Sequence, residues 1–299
     1  MSSRKILLRD GRRAAVHVTE GAASGRTVVF CHSAPGAGAF DPDPAATAVR
    51  GVTLIGLDRP GYGGSDPMPD ASWADVGTVA DDIAEVLDHM GTGPVGLAGW
   101  SAGGRVALAV AARRPDLVDR VVVVATPAPD DAVPWIPPEQ KAALDALHDR
   151  PAAAVHAALT AQLSGVVASS VLASSPESKS HGGFALLGVG DADTHALAMP
   201  RADERLTAML DAAFAQGLPG LVSDLAGYSL RPWGFEVADV RAKTLLLNGS
   251  ADPIAGPRHG KWWQRRLPDA RFEQVPGAGH LVIMPMWERA LSHLAPRRR

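Results

Sequence analysis

The sequence contains a single cysteine, Cys31, among 299 residues. One thiol cannot form an internal disulfide, so a disulfide-stapled secreted domain is excluded and a reducing compartment is favoured. Long hydrophobic runs are also missing. No stretch is apolar over the roughly 20 residues that a membrane span needs, and residues 1–5 carry no run typical of a signal peptide. These absences predict a cytoplasmic protein with no membrane-inserted segment.

The chain also lacks an excess of charge of either sign. Its 29 Lys and Arg residues and 32 Asp and Glu residues give a net charge of -3, which gives no reason to expect nucleic acid as a partner. No His, Cys and carboxylate spacing suggests a metal site, and no glycine-rich nucleotide fingerprint is present, so neither a metal nor a cofactor is expected. We expect a small-molecule substrate, and the sequence leaves monomer and homodimer equally open.

Short apolar runs alternate with helical patterns, which predicts an α/β fold. Residues 5–8 and 14–19 flank Asp10-Gly11, a pair that suits the tight turn of a hairpin. Buried runs that end in Gly- or Pro-rich loops are typical of central parallel strands, whose carboxyl ends gather the loops that form sites. These runs are residues 27–31, 52–57, 95–98, 121–125 and 244–248, and residues 271–275 form the last predicted strand.

The pattern between the strands predicts helices and one insertion. Ser72 and Asp75 can cap a helix whose apolar residues recur at helical spacing up to Met90. Residues 127–232 contain Pro-rich and Ala-rich helical segments without a strong strand, so we expect a helical cap inserted after the sixth strand. Residues 1–126 and 233–299 would then form the core domain. Within the insertion, residues 174–183 are polar and predict a loop.

Residues 99–103 read Gly-Trp-Ser-Ala-Gly between an apolar strand and a helical pattern rich in small residues. A serine on such a tight strand-to-helix turn needs neighbouring glycines, because no Cβ fits between the strand and the helix. The turn would expose the Ser101 hydroxyl. It would also place the amide of Ala102 at a helix N-terminus, where unpaired N–H groups favour negative charge.

Ser101, Asp252 and His280 stand at the ends of three predicted strands. A serine hydroxyl is a poor nucleophile near neutral pH, so it needs an imidazole to accept its proton. The imidazole in turn needs a carboxylate that fixes its tautomer and stabilises its cation. The chain order Ser, Asp, His matches the order found in the α/β-hydrolases.

On these residues the chain resembles the α/β-hydrolase superfamily over nearly its whole length, and least in the helical insertion. The residues that carry the resemblance are His32 with Pro35-Gly36, the loop 58–63, the turn 99–103, Gly249 with Asp252, and Gly279-His280. The resemblance implies a mostly parallel eight-stranded sheet flanked by helices. It also implies that Ser101 is the nucleophile, His280 the general base and then acid, and Asp252 the orienting carboxylate.

The resemblance further implies an oxyanion hole formed by the backbone N–H groups of Ala34 and Ala102. Ser33 stands where the family usually has glycine. A serine would be strained there if the position needed a positive φ, so the Ser33 amide is the fallback donor. Ser33 could also offer its hydroxyl to substrate, although we expect it to affect only the loop conformation.

Several other assignments stay open at this point. Asp130 or Asp131 could replace Asp252, because some members of the superfamily place the acid after the sixth strand. His32 is expected to be a structural residue beneath the oxyanion loop, and Asp58 with Arg59 a structural ion pair and turn. Four apolar residues could line a substrate pocket or belong to the core: Trp100, Trp135, Trp233 and Met284.

These residues predict a serine hydrolase that cleaves a carboxylic ester, thioester or lactone through an acyl-enzyme on Ser101. The same triad could serve a carbon–carbon bond hydrolase, a hydroxynitrile-lyase-like enzyme, a perhydrolase or an amidase, because loops and insertion select the reaction. An epoxide hydrolase or haloalkane dehalogenase would need an aspartate at position 101. The non-enzymatic alternative is a ligand-binding protein on the same fold, which would have no need of an intact triad.

Overall fold

A computed structural model describes residues 1–22, 25–171 and 184–296. These residues contain an eight-stranded sheet with the strand order β1-β2-β4-β3-β5-β6-β7-β8, which confirms the predicted α/β architecture. The strands are β1 Ser2–Leu7, β2 Arg13–Thr19, β3 Thr27–Cys31, β4 Thr53–Leu57, β5 Val95–Trp100, β6 Val118–Val124, β7 Lys243–Gly249 and β8 Ala270–Val275.

The only antiparallel pairings among the described strands lie at the β1 end of the sheet. β1 pairs with β2 as the predicted hairpin, and β2 pairs antiparallel with β4. Gly11 adopts a φ of +90° in the hairpin turn, a conformation that L side chains rarely adopt. The remaining neighbours pair in parallel from β4 through β8. The carboxyl ends of these parallel strands therefore lie along one edge of the sheet.

Helices cover both faces of the sheet. The helices of the described residues are α1 Pro44–Arg50, α2 Val76–Met90, α3 Ala102–Arg113, α4 Pro138–Asp145, α5 Ala152–Val171, α6 Thr194–Leu197, α7 Ala202–Ala213, α8 Pro219–Ser229, α9 Pro257–Gln264 and α10 Trp287–Leu294, of which α4 to α8 belong to the segment 127–232. Successive strand residues point to opposite faces. Val29 accordingly packs in the core layer that contains α2 and α3, while Val28 and Phe30 pack in the layer that contains α10.

The predicted helix before β5 is present, but its cap differs from one expectation. The Asp75 carboxylate accepts a hydrogen bond of 2.7 Å from the Thr78 N–H and caps α2. Ser72 lies before the helix, and its hydroxyl donates to the carbonyl of Pro69 at 2.6 Å. At the other end Gly91 takes a left-handed conformation with φ +61°, which ends the helix at Met90.

The described part of residues 127–232 contains helices α4 to α8 and a short 3₁₀ turn, Asp191–Asp193, and no strand. Several of its side chains reach the loops at the carboxyl edge of the sheet, among them Asp193, Gln216 and Asp224. The predicted polar loop at residues 174–183 lies outside the described residues. Across the ranges that are described, no helix combines the length and the apolar character needed to cross a membrane.

Candidate active site

Ser101 lies between β5 and α3 with φ +55° and ψ -121°, which is an unusual backbone conformation for a residue with a side chain. Its N–H donates to the Val124 carbonyl at 2.8 Å, so the turn is attached to the neighbouring strand. A Cβ on Gly99 would overlap the Gly103 carbonyl, and a Cβ on Gly103 would overlap the Cys31 carbonyl. The glycines therefore allow the close approach of strand and helix that fixes Ser101.

The structure brings Ser101, His280 and Asp252 into one hydrogen-bonded chain. The Ser101 Oγ lies 3.0 Å from His280 Nε2, and His280 Nδ1 lies 2.9 Å from Asp252 Oδ2. An ionised carboxylate can only accept hydrogen bonds, so Nδ1 carries the proton that it donates to Asp252. The Nε2 lone pair is then free to accept the proton of the Ser101 hydroxyl.

The Asp252 carboxylate is held as an anion in a buried position. Its Oδ1 accepts hydrogen bonds from the N–H groups of Ile254 and Ala255 at 2.8 and 2.9 Å. Burial acts to raise the pKa of Asp252, but the neighbouring His280 and these hydrogen bonds lower that pKa below its usual value. Asp252 therefore remains charged at neutral pH and fixes the orientation of the imidazole.

His280 begins a short 3₁₀ turn, His280–Ile283, that is anchored from two sides. The indole N–H of Trp100 donates to the His280 carbonyl at 3.0 Å. From the segment 127–232, the buried Asp193 accepts the Leu281 N–H at 2.7 Å through Oδ1, and its Oδ2 accepts the Gly190 N–H at 3.1 Å. The backbone on both sides of the imidazole is thus held in place.

The loop after β3 contains Ser33 and Ala34, two of the residues considered as oxyanion donors. The Ser33 hydroxyl donates to the Pro35 carbonyl at 2.7 Å, so it is engaged within the loop. Ser33 is absent from the described non-glycine residues with a positive φ, and the strain considered for a serine at this position does not arise. The amides of Ala34 and Ala102 have no acceptor within the described ranges, and neither has that of Ser33.

Arg59, which follows β4, holds this loop from beneath. Its guanidinium donates to the carbonyls of His32 and Ser33 at 2.5 and 2.7 Å. It also forms a buried ion pair with Asp224 on α8, with an Nη2 to Oδ2 distance of 2.5 Å. The Tyr62 hydroxyl donates to the same carboxylate oxygen at 2.8 Å.

The expected ion pair between Asp58 and Arg59 is wrong. The Asp58 carboxylate instead lies 3.0 Å from His17 Nε2 and accepts the N–H groups of Gly38 and Gly64 at 2.7 and 2.9 Å. Adjacent residues after a strand point in different directions. Asp58 consequently braces its own turn, while Arg59 reaches the helix α8.

His32 is a buried, neutral imidazole beneath the loop. Its Nδ1 donates to the Ser33 carbonyl at 2.8 Å, and its Nε2 accepts the Arg59 N–H at 3.3 Å. Burial lowers the pKa of His32 well below its usual value, and the nearby Arg59 cation adds to this effect. A ring with both nitrogens engaged in this way supports the loop and is not available as a base.

The alternative acids lie away from the imidazole. Asp130 accepts the N–H groups of Trp135 and Ile136, both at 2.8 Å. Asp131 is 89% exposed and lies 3.2 Å from Lys141. The carboxylate in contact with His280 is thus that of Asp252, and neither Asp130 nor Asp131 contacts the ring.

The four residues considered for a pocket are not brought together. Trp100 and Met284 are fully buried in the core layer that contains α10. Trp135 lies near the start of the segment 127–232 and Trp233 directly follows the segment, and both line a cavity with Arg105. Trp135 and Trp233 thus share a cavity, and Trp100 and Met284 belong to the core.

Sequence reasoning missed the residues that position the site from a distance. Asp193 and Asp224 lie in helical turns without a motif, and their partners are distant in sequence. Within the described ranges, no group of three His, Cys, Asp or Glu side chains is placed to hold a metal ion.

Fold and site together define an α/β hydrolase. Residues 26–285 match the family described as alpha/beta hydrolase fold, and the chain belongs to this family. The expected fold class and resemblance are confirmed.

Individual proteins that are similar to this chain include a lipase and two hydrolases. The chain is 32% identical to the mouse sn-1-specific diacylglycerol lipase ABHD11 over 110 residues, a match that covers 36% of this chain and 35% of the lipase. It is 29% identical to the 2-(acetamidomethylene)succinate hydrolase of Mesorhizobium japonicum over 269 residues, which cover 87% of this chain and 83% of that protein. A hydrolase from Pseudomonas aeruginosa PA01 has a similar structure with a TM-score of 0.70, 21% identity and coverage of 97% of each chain. At this identity the structural similarity supports the fold alone.

Proposed function

We propose that this protein is a serine hydrolase that cleaves a carboxylic ester of a small to medium, largely apolar substrate through an acyl-enzyme on Ser101. The observation that carries the proposal is the continuous hydrogen-bonded chain from Ser101 through His280 to the ionised Asp252. A ligand-binding protein would have no need of this alignment. Membership of a hydrolase family adds support.

In the first half-reaction the Ser101 Oγ attacks the ester carbonyl carbon while its proton moves to His280 Nε2. The carbonyl π electrons move onto oxygen and form a tetrahedral oxyanion. Asp252 stabilises the imidazolium that exists at this stage. When the intermediate collapses, the bond to the alcohol oxygen breaks, and that oxygen takes the proton from Nε2 to leave as a neutral alcohol.

In the second half-reaction a water molecule replaces the alcohol. His280 Nε2 accepts one proton of the water as its oxygen attacks the acyl carbon. Collapse of the second tetrahedral intermediate breaks the bond to Ser101 Oγ, which recovers the proton from Nε2. The carboxylic acid product leaves, and the serine and the neutral imidazole are restored.

The N–H groups of Ala34 and Ala102 are the proposed donors to the oxyanion. Ala102 is the first residue of α3, where an N–H has no partner inside the helix and the helix dipole favours negative charge. Ala34 is partly exposed whereas Ser33 is buried, which favours Ala34 as the second donor. Losing one such donor typically costs about 10²- to 10³-fold in turnover.

The surroundings of Ala34 support an apolar substrate. Ala34 packs against a cluster of four buried side chains, of which Tyr62 follows β4 and the others come from helices of the segment 127–232: Val167, Ala213 and Leu221. Further leucines of the same segment pack against this cluster. An acyl or alcohol group next to the oxyanion loop would therefore meet mainly hydrocarbon surface.

We further infer that residues 127–232 act as a cap over the carboxyl edge of the sheet. Asp193 holds the turn after His280, and Asp224 holds Arg59 beneath the oxyanion loop. Gln216 adds a hydrogen bond of 2.7 Å to the carbonyl of Ser65. These contacts support an insertion that is attached on more than one side of the site.

Hydrolysis of p-nitrophenyl esters of graded acyl length tests the proposal. Wild-type protein is expected to hydrolyse them and to favour medium over very short chains, while Ser101→Ala should lose turnover and keep its fold by circular dichroism. Ser250→Ala, which removes an exposed serine hydroxyl that accepts the Gly277 N–H, is the matched control. Equal ester turnover by Ser101→Ala and wild type would overturn the proposal, and turnover of the matching anilides alone would indicate an amidase.

A further inference from the structure

Arg105 is a buried cation that forms no salt bridge with any described residue. It lies on α3 one helical turn after Ser101, and its side chain is 4% exposed. Its Nε and Nη2 each lie 3.4 Å from the Pro127 carbonyl, which is a long hydrogen bond. Within the described ranges its Nη1 makes no hydrogen bond, and no carboxylate forms a salt bridge with the guanidinium. The charge of Asp224 acts to raise the pKa of Arg105, but that carboxylate is already paired with Arg59. Desolvation of a charge is costly unless an opposite charge lies close by.

Aromatic rings surround this cation. The guanidinium carbon lies 4.7 Å from the ring centroid of Trp233, 5.4 Å from that of Tyr228 and 5.8 Å from that of Trp135. Such contacts stabilise a cation but leave its outward N–H groups without acceptors. The indole N–H of Trp135 and the hydroxyl of Tyr228 are also buried and lack a partner within the described ranges.

These groups line a cavity of about 300 Å³, which is at the lower end of the size range of small-molecule sites. Its acidic side chains already have partners. Asp130 accepts two backbone N–H groups, and Lys141 lies 3.2 and 3.4 Å from Asp131 and Asp145. Arg231, a third cation of the lining, is exposed and lies over the ring of Trp73. The excess of unpaired donors is therefore centred on Arg105.

We propose that this cavity binds the carboxylate of a small apolar organic acid, with Arg105 as its cationic partner and the Trp135 indole N–H as a second donor. The fork of the guanidinium suits a planar carboxylate, and the rings and Ile136 would contact the apolar body. Burial lowers the pKa of Arg105 to about 10, so the cation stays charged at neutral pH.

Calorimetry with sodium benzoate on the full chain tests the site, with benzamide as the neutral probe of the same shape. Wild-type protein is expected to bind benzoate saturably and at least about tenfold more tightly than benzamide. Arg105→Met should weaken benzoate binding by about tenfold or more and remove the preference, while Arg105→Lys retains part of it. Arg113→Met, on the exposed part of the same helix, should bind as wild type does.

Trp135→Phe provides a second variant if Arg105→Met fails to fold. It keeps the aromatic ring and the arginine but removes the indole N–H, and it should weaken benzoate binding a few-fold without changing benzamide binding. Equal binding of benzoate and benzamide by wild type, or unchanged benzoate affinity in folded Arg105→Met, would overturn the proposal. Arg105 would then serve only to pack against the aromatic rings.

The source of the carboxylate is tested separately with a fluorophosphonate that labels Ser101. Protection of Ser101 by benzoate would assign the carboxylate to a substrate that reaches from the cavity to the serine. Benzoate binding without protection would assign the cavity to a separate organic acid. Because binding is measured by heat and not by turnover, failure of the site is distinguishable from failure of the proposed hydrolase function.

Discussion

Arg59 and Asp224 form a buried ion pair between the loop after β4 and helix α8. The Nη2 to Oδ2 and Nε to Oδ1 distances are 2.5 and 3.0 Å, and the two side chains are only 3% and 4% exposed. The same guanidinium donates to the Ser33 carbonyl at 2.7 Å. The position of α8 is therefore linked through one side chain to the residue that precedes Ala34.

Replacing Arg59 by lysine should slow turnover more than it weakens substrate binding. Lysine keeps the charge, but its single nitrogen has three donors and cannot serve the four acceptors of Arg59, which are both oxygens of Asp224 and the carbonyls of His32 and Ser33. We expect kcat on a p-nitrophenyl ester to fall about tenfold, with KM changed much less. Arg113→Lys, in an exposed pair with Asp81, is the control. An unchanged kcat in folded Arg59→Lys would show that the contacts of Arg59 do not position the oxyanion loop.

Asp252→Asn should lower kcat by about 10⁴-fold and leave the fold intact, because an amide can stabilise the wrong imidazole tautomer and carries no charge. Steady-state ester hydrolysis and circular dichroism measure the two effects. Asp131→Asn, at the exposed alternative position, should retain wild-type activity. If Asp131→Asn lost activity and Asp252→Asn kept it, the acid would be misassigned.

Asp193→Ala should reduce kcat because it removes the acceptor of the Leu281 N–H next to His280. An unpaired buried N–H also costs about 1–3 kcal/mol of stability, which urea unfolding can measure. Asp191→Ala, in the same short turn but exposed, should change neither quantity. Added imidazole should not restore the activity of Asp193→Ala, because this variant still contains His280, although the residue is displaced. Loss of stability with a wild-type kcat would restrict Asp193 to a structural role.

Asp41→Asn should stabilise the protein at neutral pH. Burial raises the pKa of Asp41 to about 6 from 3.8, and its Oδ2 is buried without a partner within the described ranges. The folded state therefore holds a proton that the unfolded state has lost between about pH 4 and 6, so stability falls as pH rises through this window. We expect a gain of about 2 kcal/mol at pH 7.5 and none at pH 3.5, with Asp211→Asn as an exposed control. A gain independent of pH would contradict this explanation.

The strands and the residues at their ends could be predicted because the signals are local. Ser101 and Asp252 each follow an apolar run, His280 follows the more polar strand β8, and all three lie near glycines, so strand direction alone places them at one edge of the sheet. The alternation of β5 could also have placed Trp100, which lies on the same face as Ala98 and packs with α10.

The contacts made by residues 127–232 could not be predicted in this way. Asp224 lies 165 positions from Arg59 in a helix whose sequence has no motif, and the choice between Asp58 and Asp224 depends on how that helix packs. The same applies to Arg105, whose aromatic neighbours come from both ends of the segment. Hydrophobic periodicity predicts that such helices exist but does not determine their relative positions.

The central claim is that Ser101 is an activated nucleophile, and covalent labelling of the intact protein tests it most directly. Wild-type protein treated with a fluorophosphonate at pH 8 is expected to gain one adduct by mass spectrometry, located by peptide sequencing at Ser101. Ser101→Ala should gain none, and Asp252→Asn should react far more slowly. A folded wild-type sample that gains no adduct, or one labelled equally at other serines, would contradict the account.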